Sequence, residues 1–240
     1  MNTLALVVPC KNEFMRLQVD EFVRATERWP WISFCFVDDG STDATADSVA
    51  WLANASPSMH SIFLPNNRGK AEAVRTGVMH LCNMTHADLV GFWDADLATP
   101  LDEIPGFVRR FEEDPSIAAV LGSRWQRLGA RVRRNVGRGL ASAFVAKAIR
   151  RALDVPVWDT QCGAKIFTLD LAAEIFAQPF HTRWLFDVEL LARMGRRRLQ
   201  TQVCEYPVSK WHDVPGSKIG LWTSISMIRE LVTVLRMNTL

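Results

Sequence analysis

The sequence predicts an α/β fold with a predominantly parallel sheet and helices on both faces. Two observations carry this expectation. The first half of the chain alternates short apolar runs with amphipathic stretches in a βαβα order, which implies a parallel sheet covered on both sides. The polar clusters of that half fall just after apolar runs, at the carboxyl ends of strands, where such sheets bind ligands near the switch in strand order.

The elements follow in order. Residues 4–8 form an apolar strand that Pro9 ends, followed by a helix over about 15–28. Residues 31–37 are a second apolar strand. Gly40 permits a tight turn behind it, and Ser41, Thr42 or Asp43 can cap a helix over 43–53. A short strand over 61–64 leads to a helix over 70–81, and the uncharged run 89–93 reads as a buried fourth strand. The second half is less regular. Helices are expected over 101–113, 140–153 and 187–194, and strands over 118–121, 165–167 and 201–208. From 221 to 235, Leu221, Trp222, Ile225, Ile228, Leu231, Val232 and Leu235 recur on one helical face, with Arg229 and Arg236 beside it. No linker, repeat or low-complexity tract interrupts the chain. The expected organisation is one catalytic domain over 1–218 and a C-terminal amphipathic helix over 219–240.

A chain of 240 residues with 48% apolar and 22% charged residues can bury a sizeable core. The net charge of +2 is unremarkable, but residues 124–151 hold nine Lys or Arg and no Asp or Glu. Such a block is either a solvated helix face or a surface for an anionic partner. The five cysteines are odd in number and lack C-x-x-C spacing, which argues against a disulfide framework or zinc site and for a reducing compartment. Without a basic signal n-region or an apolar stretch near the ~18 residues of a membrane span, the expected location is the cytoplasm, in solution or peripheral on a membrane face. No nucleic-acid partner is expected.

Four clusters carry chemistry. Pro9-Cys10-Lys11-Asn12-Glu13 follows the first strand, and capping of the next helix would by itself explain Asn12 and Glu13. Asp38 and Asp39 end the second strand; capping does not account for two adjacent acids there, whereas carboxylates can accept from a nucleobase N–H or ribose hydroxyls. Arg68-Gly69-Lys70 opens a helix whose backbone N–H groups could meet a phosphate, although neither G-x-x-x-x-G-K-[ST] nor G-x-G-x-x-G is present. Asp94-Ala95-Asp96 ends the fourth strand. Two acids leaving a strand together repel, and a divalent cation shared with a phosphate-bearing ligand relieves that repulsion. Mg²⁺ or Mn²⁺ suits such oxygen ligands and would act as a Lewis acid on a departing diphosphate.

Together with Asp159-Thr160-Gln161-Cys162-Gly163-Ala164-Lys165, Arg183-Trp184-Leu185-Phe186-Asp187-Val188-Glu189 and Gly216-Ser217-Lys218, these strings resemble inverting family 2 glycosyltransferases of the GT-A fold. They are most similar to the dolichyl-phosphate β-glucosyltransferase and dolichol-phosphate mannose synthase branch. The resemblance runs from Val7 to about Lys218. It implies a Rossmann-like nucleotide-binding sheet and transfer of a hexose from a nucleotide-sugar to a polyprenyl phosphate. Pro9, Asn12, Glu13, Asp38, Asp39, Lys70, Arg75, Asp94, Ala95 and Asp96 would form the donor site, with Asp94 and Asp96 on the metal. Asp96, Asp159, Arg124, Arg131 and Arg134 would be catalytic, the arginines holding the acceptor phosphate. Gln161, Trp184, Asp187 and Lys218 would line the sugar and acceptor pocket. Leu97-Ala98-Thr99 after the D-x-D resembles the glucosyl branch, which favours UDP-glucose over GDP-mannose.

The acceptor chemistry agrees with this. A phosphate monoester, with a second pKa of about 6, is mostly dianionic at neutral pH and attacks without a base. A hydroxyl acceptor needs a placed carboxylate, for which Asp159 and Asp187 are the attractive candidates. The acid-free basic block and the terminal helix suit an anionic membrane surface. The terminal helix could equally pack on the catalytic domain or on a second copy of the chain, a homo-oligomer. Two other readings stay open: a soluble hydroxylic acceptor, and a nucleotidyltransferase or nucleotide-binding module.

Overall fold

The computed structural model describes residues 2–84, 86–125, 128–133, 157–183, 185–212, 214, 230 and 233–234. Its first strand, β1 (Leu4–Cys10), is buried on both faces, so its residues sort by alternation rather than by polarity. Ala5 and Val7 join one core and Leu4, Leu6 and Val8 the other. The remaining elements are α1 (Val19–Arg28), β2 (Ile32–Asp38), α2 (Thr45–Ala55), β3 (Met59–Phe63), α3 (Lys70–Met84) and β4 (Leu89–Trp93). A 3-10 turn (Leu101–Glu103) then leads into α4 (Ile104–Glu113), followed by β5 (Ala119–Ser123), β6 (Arg131–Arg133) and β7 (Ala164–Thr168). The chain continues through α5 (Leu169–Phe176), α6 (Phe186–Thr201), β8 (Val203–Pro207) and β9 (Lys210–His212).

Seven strands form one sheet in the order β3-β2-β1-β4-β7-β5-β8. β7 runs antiparallel to both its neighbours, β4 and β5, and the other described pairings are parallel. β2 and β3 extend from one side of β1, and β4 returns to the other. The switch in strand order therefore lies between β1 and β4, with the ends Cys10 and Trp93 at its mouth.

Helices α3, α5 and α6 cover one face over Val7, Val37, Phe92 and Phe167. Helices α1, α2 and α4 cover the other over Leu6, Phe34, Phe36 and Trp93. Phe22 of α1 meets Phe34 and Phe36 edge-on at 5.2 and 5.0 Å. Trp93 packs against Phe107 of α4 and satisfies its buried indole N–H on the Thr99 carbonyl at 2.7 Å, which pins the loop after β4.

Most expected elements are present within a few residues of their expected ends. α1 starts at Val19 rather than near Met15, because the Glu13 carbonyl accepts from Arg16 N and Leu17 N, each at 2.7 Å, and closes a turn first. α6 continues past its expected end at Met194 through a kink at Gly195 (φ 74°). α5 and the two-stranded pair β6-β9 were not anticipated. The expected helix over 140–153 lies outside the described residues. So does most of 219–240; within it, Val234 is buried in the α3 core and Glu230 Oε2 accepts from Leu185 N at 2.9 Å. Among the described residues no helix is long and apolar enough to cross a membrane.

Candidate active site

A cavity of about 570 Å³ opens at the carboxyl ends of β1, β2 and β4, at the switch point. Its described lining carries four acids, Glu13, Asp39, Asp94 and Asp96, and five bases, Lys11, Arg16, Lys70, Arg124 and Arg183. Pro9 and Ala95 complete the part that the sequence marks as donor site.

The loops after β1 and β2 are tied together. Asn12, in left-handed backbone (φ 49°), accepts from Thr42 N at 2.9 Å and gives its own N–H to Ser41 Oγ at 2.9 Å. Its side chain bonds to the neighbouring loop and does not line the cavity. Asp38, the last residue of β2, and Asp39 just past it take different partners. Asp39 lines the cavity, but its carboxylate accepts from Arg68 N at 2.6 Å and Gly69 N at 2.8 Å. Two of the backbone N–H groups in that segment, those of Arg68 and Gly69, are therefore already occupied. Asp38 Oδ2 accepts from Ser41 N at 3.1 Å, while its buried Oδ1 has no hydrogen-bond partner among the described residues. A buried carboxylate oxygen left in that state is costly, and a ligand N–H would satisfy it.

Lys70, at the start of α3, reaches Asp94 Oδ1 at 2.5 Å. Burial works against its charge, yet Asp94, with Asp187 behind it, holds Lys70 above the ordinary lysine range. Arg75 does not join it. Five residues along a helix is about 500° of rotation, so the two side chains leave different faces. Arg75 instead makes a two-point pair with Glu72 at 2.8 and 3.0 Å and does not line the cavity.

Asp94 sits against Gly163: Asp94 N donates to the Gly163 carbonyl at 3.0 Å, and a Cβ on Gly163 would stand 1.8 Å from Asp94 Oδ2. Only glycine admits the carboxylate there. Asp96 Oδ1 accepts from Ala98 N at 3.1 Å, and Arg16 lies 3.9 Å from Oδ2. Burial first and the Asp94 charge second push the Asp96 carboxyl above its usual range. The described residues hold no group of three or more His, Cys, Asp or Glu suited to a metal. Two oxygen-only carboxylates fit Mg²⁺ or Mn²⁺, which fills its remaining positions from a diphosphate and water. They do not fit a closed structural zinc site.

On the far wall Arg124, behind β5, grips Asp159. Its Nε and Nη2 donate to the two carboxylate oxygens at 2.6 and 2.7 Å, and its backbone N–H adds a third bond at 2.9 Å. The guanidinium also lies over the Trp211 ring, 5.4 Å from its centroid. Glu205 of β8 accepts from Trp158 N and Asp159 N at 2.9 and 2.8 Å and fixes that segment. Gln161 donates its backbone N–H to Asp159 Oδ1 at 3.2 Å and does not line the cavity. Asp187 also lies off the cavity, paired with the fully buried Lys165, whose ammonium additionally donates to the Thr160 carbonyl at 3.0 Å. Arg131 is exposed on β6 and is not part of the lining. Arg134, Trp184 and Lys218 lie outside the described residues.

Lys11, Arg16, Arg183 and Trp211 line the cavity although the sequence reading gave none of them a role there; Lys11 and Arg183 stood within the quoted strings. Arg183 donates to Asn67 Oδ1 at 2.8 Å and lies over Gly69, where a Cβ would stand 2.7 Å from its Nε. The signal for Lys11 and Arg16 was their place in the loop after the first strand.

Comparisons with known proteins agree with this geometry. The chain is 32% identical over 246 residues to a dolichyl-phosphate beta-glucosyltransferase of Trichomonas vaginalis, covering 95% of this chain and 69% of that protein. It is 31% identical over 255 residues to the dolichyl-phosphate beta-glucosyltransferase of Mus musculus, covering 96% and 74%. Among solved structures, glucosyl-3-phosphoglycerate synthase from Mycobacterium tuberculosis bound to UDP matches with a TM-score of 0.69 at 18% identity, covering 98% of this chain and 80% of that one. The same synthase with Mn²⁺, UDP-glucose and phosphoglyceric acid gives 0.68 at 18% identity, with 98% and 80% covered. At such identities the structural likeness is one of fold, the GT-A arrangement. With a switch-point cavity built around a D-x-D pair, and with residues 5–176 matching the glycosyl transferase family 2 profile, the chain belongs to that family and is a glycosyltransferase.

Proposed function

We propose that this glycosyltransferase moves glucose from UDP-glucose, with inversion and with Mg²⁺ or Mn²⁺, to a polyprenyl phosphate of the dolichyl type. The observation that carries the reading is the state of the two acids that a hydroxyl acceptor would need. Asp159 is held in the Arg124 fork and Asp187 in the buried pair with Lys165. Neither is poised to take a proton, and a dianionic phosphate gives up none.

The residues then divide the work. Asp38 Oδ1, without a partner among the described residues, would accept from the nucleobase N–H. Asp94 and Asp96 would hold the divalent cation, whose charge would offset that of the departing diphosphate. Lys70 would neutralise the same charge from the start of α3. Across the cavity, Arg124 would hold the acceptor phosphate with Nη1, which makes no hydrogen bond among the described residues. Attack from that wall on the anomeric carbon, opposite the leaving diphosphate, inverts its configuration. The glucosyl and dolichyl terms of this reading rest on the relatives' activities.

The test is transfer from labelled UDP-glucose or GDP-mannose to short polyprenyl phosphates or to hydroxylic acceptors. The expected result is glucose transfer to the polyprenyl phosphate, abolished by EDTA and restored by Mn²⁺ or Mg²⁺. Transfer to hydroxylic acceptors alone, lost in Asp159→Asn, would overturn the acceptor.

A further inference from the structure

We infer that Arg183 binds the leaving diphosphate, reaching it across the start of α3 from the loop before α6. Its guanidinium lines the cavity and donates to Asn67 Oδ1 at 2.8 Å. It lies over Gly69, whose left-handed backbone (φ 92°) and missing Cβ make the room: a methyl there would stand 2.7 Å from Arg183 Nε. Arg16, Lys70 and Arg124 each pair with a carboxylate, whereas Arg183 pairs with none among the described residues.

The backbone on either side of Arg183 is fixed. Before it, the buried Glu189 carboxylate accepts from His181 N at 3.0 Å and from Thr182 N and Oγ1, each at 2.9 Å. Arg193 ties that carboxylate, at 2.8 Å, to the carbonyls of Gln178 and Pro179 at 2.7 and 2.6 Å. After it, Leu185 N donates to Glu230 Oε2 at 2.9 Å. A solvated surface arginine needs no such support. A cation held this firmly at a cavity wall, with no described counter-charge, is arranged for an anionic ligand.

Position selects which anion. Asp39 holds Arg68 N and Gly69 N at the nucleoside end of this segment, and Lys70 reaches Asp94 at the metal end. Gly69, under the guanidinium, stands between the two, so Arg183 meets the cavity where a nucleoside joins its diphosphate. The acceptor wall is built by a different pair, Arg124 and Asp159. A guanidinium takes two phosphate oxygens through parallel N–H bonds, a geometry that the Lys70 ammonium lacks. The inference rests on the nucleotide-sugar reading of the cavity and adds to it a residue from the second half of the chain.

The experiment measures binding of uridine, UDP, guanosine and GDP to the full chain in Mg²⁺ by ligand-observed NMR. No acceptor is present, so its failure is separate from failure of the acceptor assignment. Arg183→Gln should weaken the diphosphate of the recognised base by about 10- to 100-fold, the range of a charge-assisted contact, and leave its nucleoside within about twofold. Arg183→Lys keeps the charge but not the fork and should lose about tenfold. Asn67→Ala should weaken the diphosphate less, and should add nothing to Arg183→Gln, because the asparagine acts through the arginine. The same pattern confined to GDP would support the inference equally, and would overturn UDP-glucose as the donor instead. Three results would overturn the inference: no diphosphate binding by the wild type, equal loss of nucleoside and diphosphate in Arg183→Gln, or a diphosphate affinity that Arg183→Gln leaves unchanged.

Discussion

Arg124 and Asp159 meet through two parallel hydrogen bonds of 2.6 and 2.7 Å, with a third from the Arg124 backbone at 2.9 Å. This geometry uses both carboxylate oxygens to aim the guanidinium, Oδ1 accepting from Gln161 N as well. Charge-assisted bonds of this kind are worth about 1.5–3 kcal/mol, or roughly 10- to 100-fold. Asp159→Asn should therefore raise KM for a phosphate acceptor by about that factor and leave KM for the sugar donor within about twofold. Arg124→Lys keeps the charge but loses the fork, and should show the same pattern. Steady-state kinetics with each substrate varied in turn decide it; a pure kcat loss with unchanged acceptor KM would speak for Asp159 as a base.

Gly163 and Asp94 give a second prediction. A methyl group at 163 would stand 1.8 Å from Asp94 Oδ2, so Gly163→Ala must displace the carboxylate. A misplacement of about 1 Å at a reacting centre costs on the order of 100-fold. Turnover should fall by about that much, and the thermal shift produced by UDP with Mn²⁺ should disappear. The circular dichroism spectrum should be unchanged, because the clash is with one side chain and not with the sheet.

The reach of sequence reasoning follows from the range of each interaction. β4 and its D-x-D end were legible because an uncharged run bounded by acids is a local signal, and the switch-point rule then located the cavity. The antiparallel direction of β7 was not, since a buried strand of five residues looks alike in either direction. α5 was missed although Leu171, Ala172, Ile175 and Phe176 carry helical spacing, because eight residues beside a strand give a weak period. Arg75 and Asn12 were placed with their motifs, yet nearer partners, Glu72 and Thr42, hold them. Arg183, though it opens one of the strings that carry the resemblance, and Trp211 reach the cavity from far along the chain, and a local string does not say which distant strand ends its side chains will meet.

Lys165 and Asp187 supply a stability test. The lysine has no solvent exposure and the aspartate side chain is 8% exposed, so each needs the other. Lys165→Met leaves a buried carboxylate unpaired and should cost about 3–5 kcal/mol. Adding Asp187→Leu to that variant should recover most of the loss, because two apolar side chains of similar size replace the pair. Urea midpoints of the single and double variants, with the m-value checked for constancy, measure both effects.

Glu189, at the start of α6, is fully buried and accepts from His181 N, Thr182 N, Thr182 Oγ1 and Arg193. Burial opposes its charge, but these donors outweigh that penalty and hold its carboxyl below the usual 4.5. Because the folded-state pKa is depressed, the stabilisation is fully present above the unfolded value and is lost as pH falls through the folded one. Glu189→Gln removes the charge and should cost about 2–4 kcal/mol at pH 7. The gap between wild type and variant should close as pH drops below about 4.5, the range in which the unfolded chain first takes up the proton. Urea titrations of both proteins at a series of pH values follow it, and a gap independent of pH would mean that Glu189 acts through packing alone. Since its donors include the loop leading to Arg183, the variant should also weaken the thermal shift given by UDP with Mn²⁺ at neutral pH.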